Sequence, residues 1–397
     1  MNRVHFDVTI VGSGIIGLTA AVALKKQGWS VGIISQSALK KKNTSQLSPQ
    51  VCALNRPSEH LFRQIGLWDQ LDAKDYDHVL IWDSFHKEDV LFSGAECAEP
   101  NLGHIVENQK MYNALVDQVR KHSIPVIIDT LVDLKPGATC LISCQQQTIT
   151  TQLVIGADGK QSWVRQHLGF GYVADDYAQT ALVGLIKHQS PHFNTARQRF
   201  FPNGTLALLP LNDPCSSAMI WSLPTDEAKK KQLKPLKAFN LDLETAWHAR
   251  LGQMQLEGQL FHYPLSSLHT RKYGQPGVVI VGDAAHVIHP LAGQGLNLGL
   301  SDISALLSCI HEYDLGSQQL VDQYTEKRHL ENIATLKMMD VLQLVFWPQH
   351  PVAVRARALG LRLLDALVPL KRSLSLFALG YRPDLSVFES LLERLKR

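Results

Sequence analysis

The sequence predicts an α/β fold: a parallel sheet wound with helices, an antiparallel β-sheet inserted into it, and C-terminal helices. Three observations predict this arrangement. The chain opens with a short apolar strand, a glycine-rich turn and a helix, over residues 6–27. From Thr180 to Leu223 the pattern changes to the alternation typical of antiparallel strands. A fully apolar strand at Gly277–Val281 restores the first pattern, and helical periodicity dominates after Gly295.

The opening unit is a βαβ motif with parallel strands. Phe6–Val11 is an apolar strand, Ile16–Gln27 is a helix stopped by Gly28, and Ser30–Ile34 is a second strand. The same reasoning predicts a helix at Ser58–Ile65, with Ser58 as its N-cap. The elements that follow are a helix at Gln109–His122, a strand at Pro125–Ile128, a small antiparallel insertion at Thr139–Ser143 and Thr148–Gln152, and a strand at Leu153–Ile155.

The turn between the first strand and helix reads Gly12-x-Gly14-x-x-Gly17. The first glycine permits a tight turn, the second lets the backbone approach a pyrophosphate, and the third allows close packing of strand and helix. The helix N-terminus adds partial positive charge. The motif predicts a dinucleotide site but does not distinguish FAD from NAD. At the end of the second strand, where such sites usually place an acid, the residue is Ser35, whose hydroxyl binds a ribose less strongly than a carboxylate does.

Two further clusters follow apolar strands. The first contains Asp158, Ser162 and Arg165; Asp158 there either contacts a ligand or only caps the next helix. In the second, an Asp after a buried strand can accept a hydrogen bond from a ribityl hydroxyl. Its glycine turn presents backbone N–H groups and a helix dipole to an electron-rich ring edge. The residues of this second cluster are, in order, Asp283, His286, His289, Pro290, Gly293, Gln294, Gly295, Leu296 and Asn297.

Composition excludes several classes of protein. The chain has 397 residues, 45% hydrophobic and 19% charged, as expected of a globular protein with two or three domain-sized units. A net charge of +3 without a basic, aromatic-rich cluster argues against nucleic-acid binding. Asp7 interrupts the first apolar run, and no stretch reaches about 18 apolar residues. We therefore expect neither a signal peptide nor a membrane span, and a cytoplasmic location.

No metal site is expected. The six cysteines form no C-x-x-C pair, and they are typical of thiols in a reducing compartment. His286 and His289 lie three residues apart in a loop with no third ligand nearby, so structural or ring-contacting roles are favoured over metal binding.

The elements divide the chain into a Rossmann-like dinucleotide-binding domain in three parts, an inserted β-rich domain and a helical tail. The predicted bounds are 1–75, 101–178 and 274–345 for the dinucleotide-binding domain, 76–100 and 179–273 for the inserted β-rich domain, and 346–397 for the C-terminal helical region.

In this order and spacing, the three clusters resemble those of the class A flavoprotein monooxygenases, aromatic-ring hydroxylases with the para-hydroxybenzoate hydroxylase fold. The similarity is greatest to the ubiquinone-biosynthesis hydroxylases and covers nearly the whole chain. The segments that resemble that subgroup are Gly103–Asn108, Leu153–Arg165, Leu206–Pro210 with Trp221–Leu223, and His286–Asn297.

The resemblance implies that FAD is the bound cofactor and that NAD(P)H is the reductant, with no separate nicotinamide domain. Asp158 and Arg165 are at positions linked to NAD(P)H. The implied cofactor contacts are Gly12, Gly14, Gly17, Ser35, Gln50, Asp158, Asp283, Gly293, Gln294, Gly295, Leu296 and Asn297.

The resemblance also implies the chemistry. Reduced FAD reacts with O2 and one oxygen atom enters an electron-rich phenolic ring, while the protein positions the ring and excludes water. The loop with His289 and Pro290 would face the ring, and the β-rich sheet, including Leu208 and Trp221, would form the other wall. The substrate implied is a polyprenylphenol, although the residues do not identify which ring carbon is hydroxylated.

One departure concerns Gln50, which stands where the family usually has Arg. Together with Ser35 it removes two charged cofactor contacts. A weakly FAD-binding or non-catalytic scaffold subunit of the ubiquinone-biosynthesis assembly is therefore the alternative function. A dehydrogenase is a third class, disfavoured by the cluster from Asp283 to Asn297.

A polyprenylated substrate must be reached at a bilayer or on a partner protein. From Val352 to Leu379 the chain is rich in leucine interspersed with arginine and lysine. This pattern predicts either a peripheral contact with the inner face of the cytoplasmic membrane or a helix that packs on the fold. Other ubiquinone-biosynthesis proteins are the expected partners.

Overall fold

The computed structural model describes residues 3–41, 47–83, 89–289, 295–346 and 368–381. The strands, in chain order, are β1 (Arg3–Val11), β2 (Val31–Ser35), β3 (Val51–Leu54), β4 (Lys74–Tyr76), β5 (His78–Asp83), β6 (Asp89–Ser93), β7 (Gly103–Glu107), β8 (Val126–Ile128), β9 (Leu131–Lys135), β10 (Cys140–Cys144), β11 (Thr148–Gly156), β12 (Tyr172–His188), β13 (Thr195–Phe201), β14 (Gly204–Pro210), β15 (Ser216–Pro224), β16 (Met254–Thr270), β17 (Gly274–Gln275), β18 (Val278–Ile280) and β19 (His286–Val287). The helices are α1 (Ile15–Lys26), α2 (Arg56–Gln64), α3 (Asn108–Lys121), α4 (Trp163–His167), α5 (Thr225–Gln232), α6 (Leu236–Ala246), α7 (Gly295–Glu312), α8 (Gln318–Phe346) and α9 (Val368–Ala378), with 3-10 turns at Trp68–Gln70, Gly94–Cys97 and Gly282–Ala284.

The first sheet has the strand order β17-β18-β11-β1-β2-β8, and its neighbours from β18 to β8 run parallel. Its strands are nearly continuous apolar runs because helices cover both faces. The predicted βαβ opening is confirmed to within one residue at the helix, while β1 begins three residues earlier than expected. The predicted α/β fold class is confirmed.

The central strand β11 corrects one prediction. The sequence pattern predicts a small antiparallel insertion that includes Thr148–Gln152 and a separate strand at Leu153–Ile155, but both segments belong to β11. The whole of β11 pairs in parallel with β1 on one edge. On its other edge, the first half pairs antiparallel with β10 and the second half pairs parallel with β18. The alternating pattern of the first half reflects this antiparallel neighbour.

The second sheet has the order β19-β16-β12-β15-β14-β13-β5-β6 and is antiparallel except for the pair β13–β5. Strand β12 begins at Tyr172, so the domain boundary predicted between residues 178 and 179 falls inside a strand. The register of β12 against β16 shifts between Asp176 and Gln179, so the predicted boundary coincides with an irregularity in this strand. Helices α5 and α6 cover one face of the sheet.

A small third sheet, β3-β7-β4, lies beside α2. The N-cap of α2 is Asn55 rather than the predicted Ser58, because the Asn55 side chain accepts a hydrogen bond from the Ser58 backbone N–H. Pro57 then occupies the first turn, where its missing N–H costs no hydrogen bond.

The described part of the C-terminal region packs against the fold. Leu379 is buried beside Cys97 and Leu102, and the Lys371 ammonium lies 3.0 Å from the Glu96 carboxylate. The Arg56 backbone N–H donates to the Leu379 carbonyl over 3.2 Å. Residues 368–381 therefore pack on the fold, which was one of the two alternatives for this region. The rest of the predicted interfacial segment, residues 352–367, lies outside the described residues. None of the described helices combines the length and the apolarity needed to cross a bilayer.

Candidate active site

Three strand ends meet at one edge of the first sheet. Val11 at the end of β1 is paired with Gly156 of β11, and Gly156 is paired with Ile280 of β18. Because these strands are parallel, the segments that follow them emerge side by side. The glycine turn, the Asp158 cluster and the Asp283 cluster, which are far apart in sequence, are thereby brought together.

The glycine turn has the geometry of a pyrophosphate site. Gly12 has φ +112°, and a Cβ there would lie 2.2 Å from the Ala157 carbonyl oxygen. A Cβ at Gly17 would lie 2.3 Å from the Gly12 carbonyl oxygen. A Cβ at Gly14, in contrast, would meet no other described part of the chain within 4 Å. Gly12 and Gly17 are thus required for packing, whereas Gly14 faces open space.

That open space lies at the N-terminus of α1. Gly14 is the N-cap of α1 and supplies no side-chain hydrogen bond to the first turn. The first-turn N–H groups and the positive end of the helix dipole are therefore available to an anionic group. This arrangement fits the pyrophosphate of a dinucleotide.

Ser35 lies at the end of β2, where a ribose contact is expected, but its hydroxyl already has partners. It donates to the Ser37 carbonyl over 2.8 Å and lies 2.7 Å from the Ser13 hydroxyl. Since a hydroxyl has one proton, Ser35 accepts the bond from Ser13. Ser35 therefore stabilises its own turn and retains little capacity for a ribose.

Gln50 lies in the loop before β3, next to the second sheet. Its side-chain amide donates to the hydroxyl of Tyr263 on β16, and its backbone carbonyl accepts from the Asn108 N–H over 2.9 Å. The structure thus places Gln50 at the contact between the loop before β3 and the second sheet.

Asp158 is both a cap and a candidate ligand. Its Oδ2 accepts from the Val164 N–H of α4 over 3.1 Å, while Ser162, the N-cap of α4, accepts from the Arg165 N–H over 3.0 Å. Its Oδ1 is buried and has no hydrogen-bond partner in the described part of the chain. A buried carboxylate oxygen without a partner is costly, so this atom is suited to a donor from a bound cofactor.

Arg165 connects the second cluster to the third. Its guanidinium is buried, donates to the carbonyls of Ala284 over 2.8 Å and Lys160 over 2.7 Å, and lies over the Tyr172 ring. Desolvation lowers the pKa of this group, opposed by Tyr172 and Asp158. Through the bond to Ala284, Arg165 therefore fixes the position of the 3-10 turn that contains Asp283.

Asp283 lies in that turn, with its side chain open to solvent on one side. Protein surrounds the carboxyl closely enough that desolvation raises its pKa, opposed by His286 and Lys160. It makes no hydrogen bond to a described residue. An accessible but recessed carboxylate at this position fits the expected contact with a ribityl hydroxyl.

A buried network that the sequence did not reveal holds the same turn from behind. The carboxylate of Asp302 on α7 accepts from the Gly282 N–H over 2.9 Å, from His286 Nε2 over 2.6 Å and from Arg328 Nε over 2.7 Å. Burial alone would raise the pKa of Asp302, but His286 and Arg328 outweigh it and hold the pKa at about 2. The one available signal was an acid on the otherwise apolar face of α7, where Leu298 and Leu306 are also buried.

The third cluster also supports the loop entering α2. Asn297 Oδ1 accepts from the Asn55 N–H over 3.1 Å and from the Ser58 hydroxyl over 2.7 Å, and its Nδ2 donates to the Ala53 carbonyl. Gly295 and Leu296 form the first turn of α7. Pro290, Gly293 and Gln294 lie outside the described residues.

His289 reaches from the third cluster to the second sheet. Its Nε2 lies 3.0 Å from Gln179 Oε1, and its ring meets Tyr177 edge to face. Gln179 donates its amide N–H to the Asn203 carbonyl, which leaves Oε1 as an acceptor, so His289 Nε2 carries the proton. Its Nδ1 is then an acceptor, and it has no partner among the described residues. Burial lowers the pKa of His289 to about 4 and keeps the ring neutral.

Leu208 and Trp221 lie on the other face of the second sheet from the first domain. They are buried under α5 and α6 with Phe239 and Leu243. Their neighbours Leu209 and Ile220 point the opposite way, because successive strand residues alternate. The structure therefore does not bring Leu208 and Trp221 to the ring-facing wall expected from the sequence. Within the described ranges, no group of three or more His, Cys, Asp or Glu side chains is placed to hold a metal.

Comparison with known proteins agrees with this geometry. A family model described as an FAD binding domain matches residues 5–337. The chain is 31% identical to 3-demethoxyubiquinol 3-hydroxylase of Escherichia coli (strain K12), over 96% of this chain and 100% of that protein. It is 30% identical to ubiquinone hydroxylase UbiL of Rhodospirillum rubrum, over 94% of this chain and 89% of that protein.

Among solved structures, pqsL, a probable FAD-dependent monooxygenase from Pseudomonas aeruginosa, shares the fold. It superposes with a TM-score of 0.75 at 18% identity, over 90% of this chain and 99% of that chain. The resemblance stated from the sequence is confirmed. The chain belongs to the FAD-binding-domain family of flavin monooxygenases, together with the ubiquinone-biosynthesis hydroxylases, and is an FAD-dependent hydroxylase.

Proposed function

We propose that this hydroxylase acts on the aromatic ring of a polyprenylphenol in ubiquinone biosynthesis, with NAD(P)H as reductant and O2 as oxygen source. One oxygen atom enters the ring as a hydroxyl group, the other leaves as water, and NAD(P)H supplies two electrons. The observation that carries the proposal is the cleft where Gly14, Asp158 and Asp283 meet. The names of the two relatives support the substrate class.

The chain's own contribution is binding, orientation and the exclusion of water. Bound FAD supplies the redox chemistry that side chains lack. The N-terminus of α1 binds the pyrophosphate, and the recessed Asp283 accepts from the ribityl chain. Asp302, Arg165 and their partners hold the Asp283 turn rigid, which is how a protein fixes a cofactor relative to a substrate.

His289 is the proposed contact for the phenol. Its Nδ1 is an acceptor with no partner among the described residues, and its neutral state at pH 7 follows from a pKa of about 4. A neutral imidazole that accepts the phenolic O–H places electron density on the ring that is to be hydroxylated. Pro290 is proposed to line the same contact.

For NAD(P)H, the proposed roles of Asp158 and Arg165 differ. Asp158 Oδ1 is free to accept a hydrogen bond directly. The Arg165 guanidinium is already bound to two carbonyls, so its proposed contribution is indirect, through the position of Ala284. We also propose that the enzyme works in the cytoplasm, peripherally on the membrane and with other proteins of the pathway.

The second candidate is a scaffold that binds FAD weakly. Ser35 favours it, because its hydroxyl is committed to Ser37 and Ser13. The absorption spectrum of the purified protein, with and without added FAD, separates the two functions. We expect a flavin spectrum, followed by NAD(P)H oxidation that depends on a short-chain polyprenylphenol and yields a product heavier by one oxygen atom. A colourless protein that fails to take up added FAD would exclude the hydroxylase function, and the scaffold role would remain.

A further inference from the structure

The α5–α6 hairpin exposes large apolar side chains to solvent. Leu233 is 85% exposed, Leu236 is 50% exposed and Leu241 is 64% exposed. The opposite side of the hairpin is anchored, since Phe239 and Leu243 are buried against the second sheet. Single exposed leucines are common, but three within nine residues of one hairpin form a patch that calls for a partner surface.

The turn of the hairpin, residues 229–237, is basic, with five lysines and no acid. Lys231 and Lys234 lie 2.8 and 2.6 Å from the Asp242 carboxylate, while Lys230 and Lys237 form no ion pair within the described part of the chain. Every residue from 232 to 237 is exposed. We call the exposed leucines and lysines of the hairpin the α5–α6 patch: Lys229, Lys230, Leu233, Lys234, Leu236, Lys237 and Leu241.

This composition distinguishes between kinds of partner. Protein interfaces are depleted in lysine and enriched in aromatic residues, methionine and arginine. Segments that lie on a bilayer combine lysine with leucine, because the leucines enter the acyl boundary while the long lysine side chains reach anionic headgroups. The stretch 229–237 contains five lysines and two leucines, and it has no aromatic residue, methionine, arginine or acid.

A concave surface extends the patch into the molecule. Beside Leu241 a cavity of about 520 Å³ opens between the hairpin and the sheet, with Phe201, Trp221 and Leu223 on its apolar side. The recess also contains Glu227 and the ion pair of Lys231 with Asp242, so the exposed leucines border a surface that is partly charged.

We propose that the α5–α6 patch docks the enzyme on an anionic lipid bilayer. The leucines insert at the headgroup–acyl boundary, and Lys230 and Lys237 contact the lipid phosphates. This inference rests on the proposed function only in that a polyprenylated substrate resides in a bilayer. It assigns membrane contact to the inserted domain, whereas the sequence suggested the C-terminal region.

The test is co-sedimentation of the full chain with phosphatidylcholine vesicles, with and without phosphatidylglycerol. We expect binding that requires the anionic lipid and weakens with added NaCl. Lys230→Gln with Lys237→Gln should weaken binding about 20-fold, and Leu233→Ser with Leu236→Ser about tenfold. The matched control is Lys135→Gln with Leu330→Ser, which removes similarly exposed side chains elsewhere and should bind as the unmodified chain does.

Two results would overturn the proposal. One is vesicle binding that neither patch variant weakens. The other is no binding to anionic vesicles at all, which would leave an acidic protein surface as the occupant of the patch. FAD uptake and NAD(P)H oxidation with a short-chain polyprenylphenol are measured on the same preparations, without vesicles. Failure of those assays would remove the proposed function while vesicle binding stays measurable, so the two ideas fail separately.

Discussion

At the scale of single residues, the two departures from the family pattern have different structural settings. Ser35 is engaged within its own turn, and Gln50 joins the loop before β3 to Tyr263 of the second sheet. Replacing Ser35 with Glu and Gln50 with Arg is expected to tighten FAD binding by about fivefold or more, because charge-assisted hydrogen bonds exceed neutral ones by roughly 1 kcal/mol. Fluorescence titration with FAD measures the change. Ser37→Glu, on an exposed serine of the same loop, is the control and should leave the affinity unchanged.

Asp302 offers a second residue-scale prediction. Asp302→Asn removes the buried counter-charge of Arg328 and leaves only the exposed carboxylate of Glu331, which should cost about 3 kcal/mol of unfolding free energy. It also weakens the bonds that hold Gly282 and His286, so FAD affinity should fall together with stability. Urea unfolding and FAD titration measure the two effects. Asp322→Asn, on the exposed side of α8, should change neither; equal losses in both variants would contradict the assigned role.

The residues found only in the structure share a physical reason. Asp302 meets His286 and Arg328 across 16 and 26 positions of sequence, and no local pattern records such a meeting. Leu208 and Trp221 illustrate a related limit. Alternation shows that one set of strand residues is buried on each face, but it does not show which face meets the first domain.

At the scale of elements, the glycine turn gives a prediction with two separable outcomes. Gly14→Ala adds a methyl group to open space at a φ of −75°, which alanine adopts freely, so stability should stay unchanged. FAD binding should fall about tenfold to a hundredfold, since the methyl group occupies the pyrophosphate site.

Gly12→Ala should behave in the opposite manner. Its Cβ would overlap the Ala157 carbonyl at a φ of +112°, so the apo protein itself should lose more than about 2 kcal/mol of unfolding free energy. Thermal unfolding of the FAD-free variants compares the two. If Gly14→Ala were as unstable as Gly12→Ala, the conclusion that Gly14 faces an open cleft at the N-terminus of α1 would be wrong.

Elements with local signals were predictable, and those defined by distant pairing were not. The β1–α1–β2 unit was found because strand, glycine turn and helix have their own patterns. The sequence pattern divides strand β11 in two because its halves have different neighbours on one edge, and only the assembled sheet shows that both halves pair with β1. Similarly, the cap of α2 was placed three residues late, since Asn55 and Ser58 are both good N-cap residues.

At the scale of the whole molecule, the predicted architecture is confirmed, because three clusters separated in sequence follow parallel strands that lie side by side. The segments around these clusters are also held by contacts with the second sheet. His289 and Gln179 join the third cluster to β12, and Gln50 and Tyr263 join the loop before β3 to β16. Both contacts involve the second sheet, and the one made by His289 makes the stability of the molecule sensitive to the charge state of that ring.

That sensitivity predicts a pH dependence. The pKa of His289 is about 4 in the folded chain and about 6.5 when unfolded, so only the unfolded chain takes up a proton as the pH falls below 6.5. The stabilisation from neutral His289 is therefore complete above pH 6.5 and is lost as the pH falls towards 4. Between pH 7.5 and 5.0 the loss should be about 2 kcal/mol. His289→Asn, which cannot titrate, should lose correspondingly less in urea unfolding of the FAD-free protein over that range. His60→Asn, an exposed histidine on α2, should follow the unmodified chain, and identical pH profiles for all three proteins would show that His289 is not buried as a neutral ring.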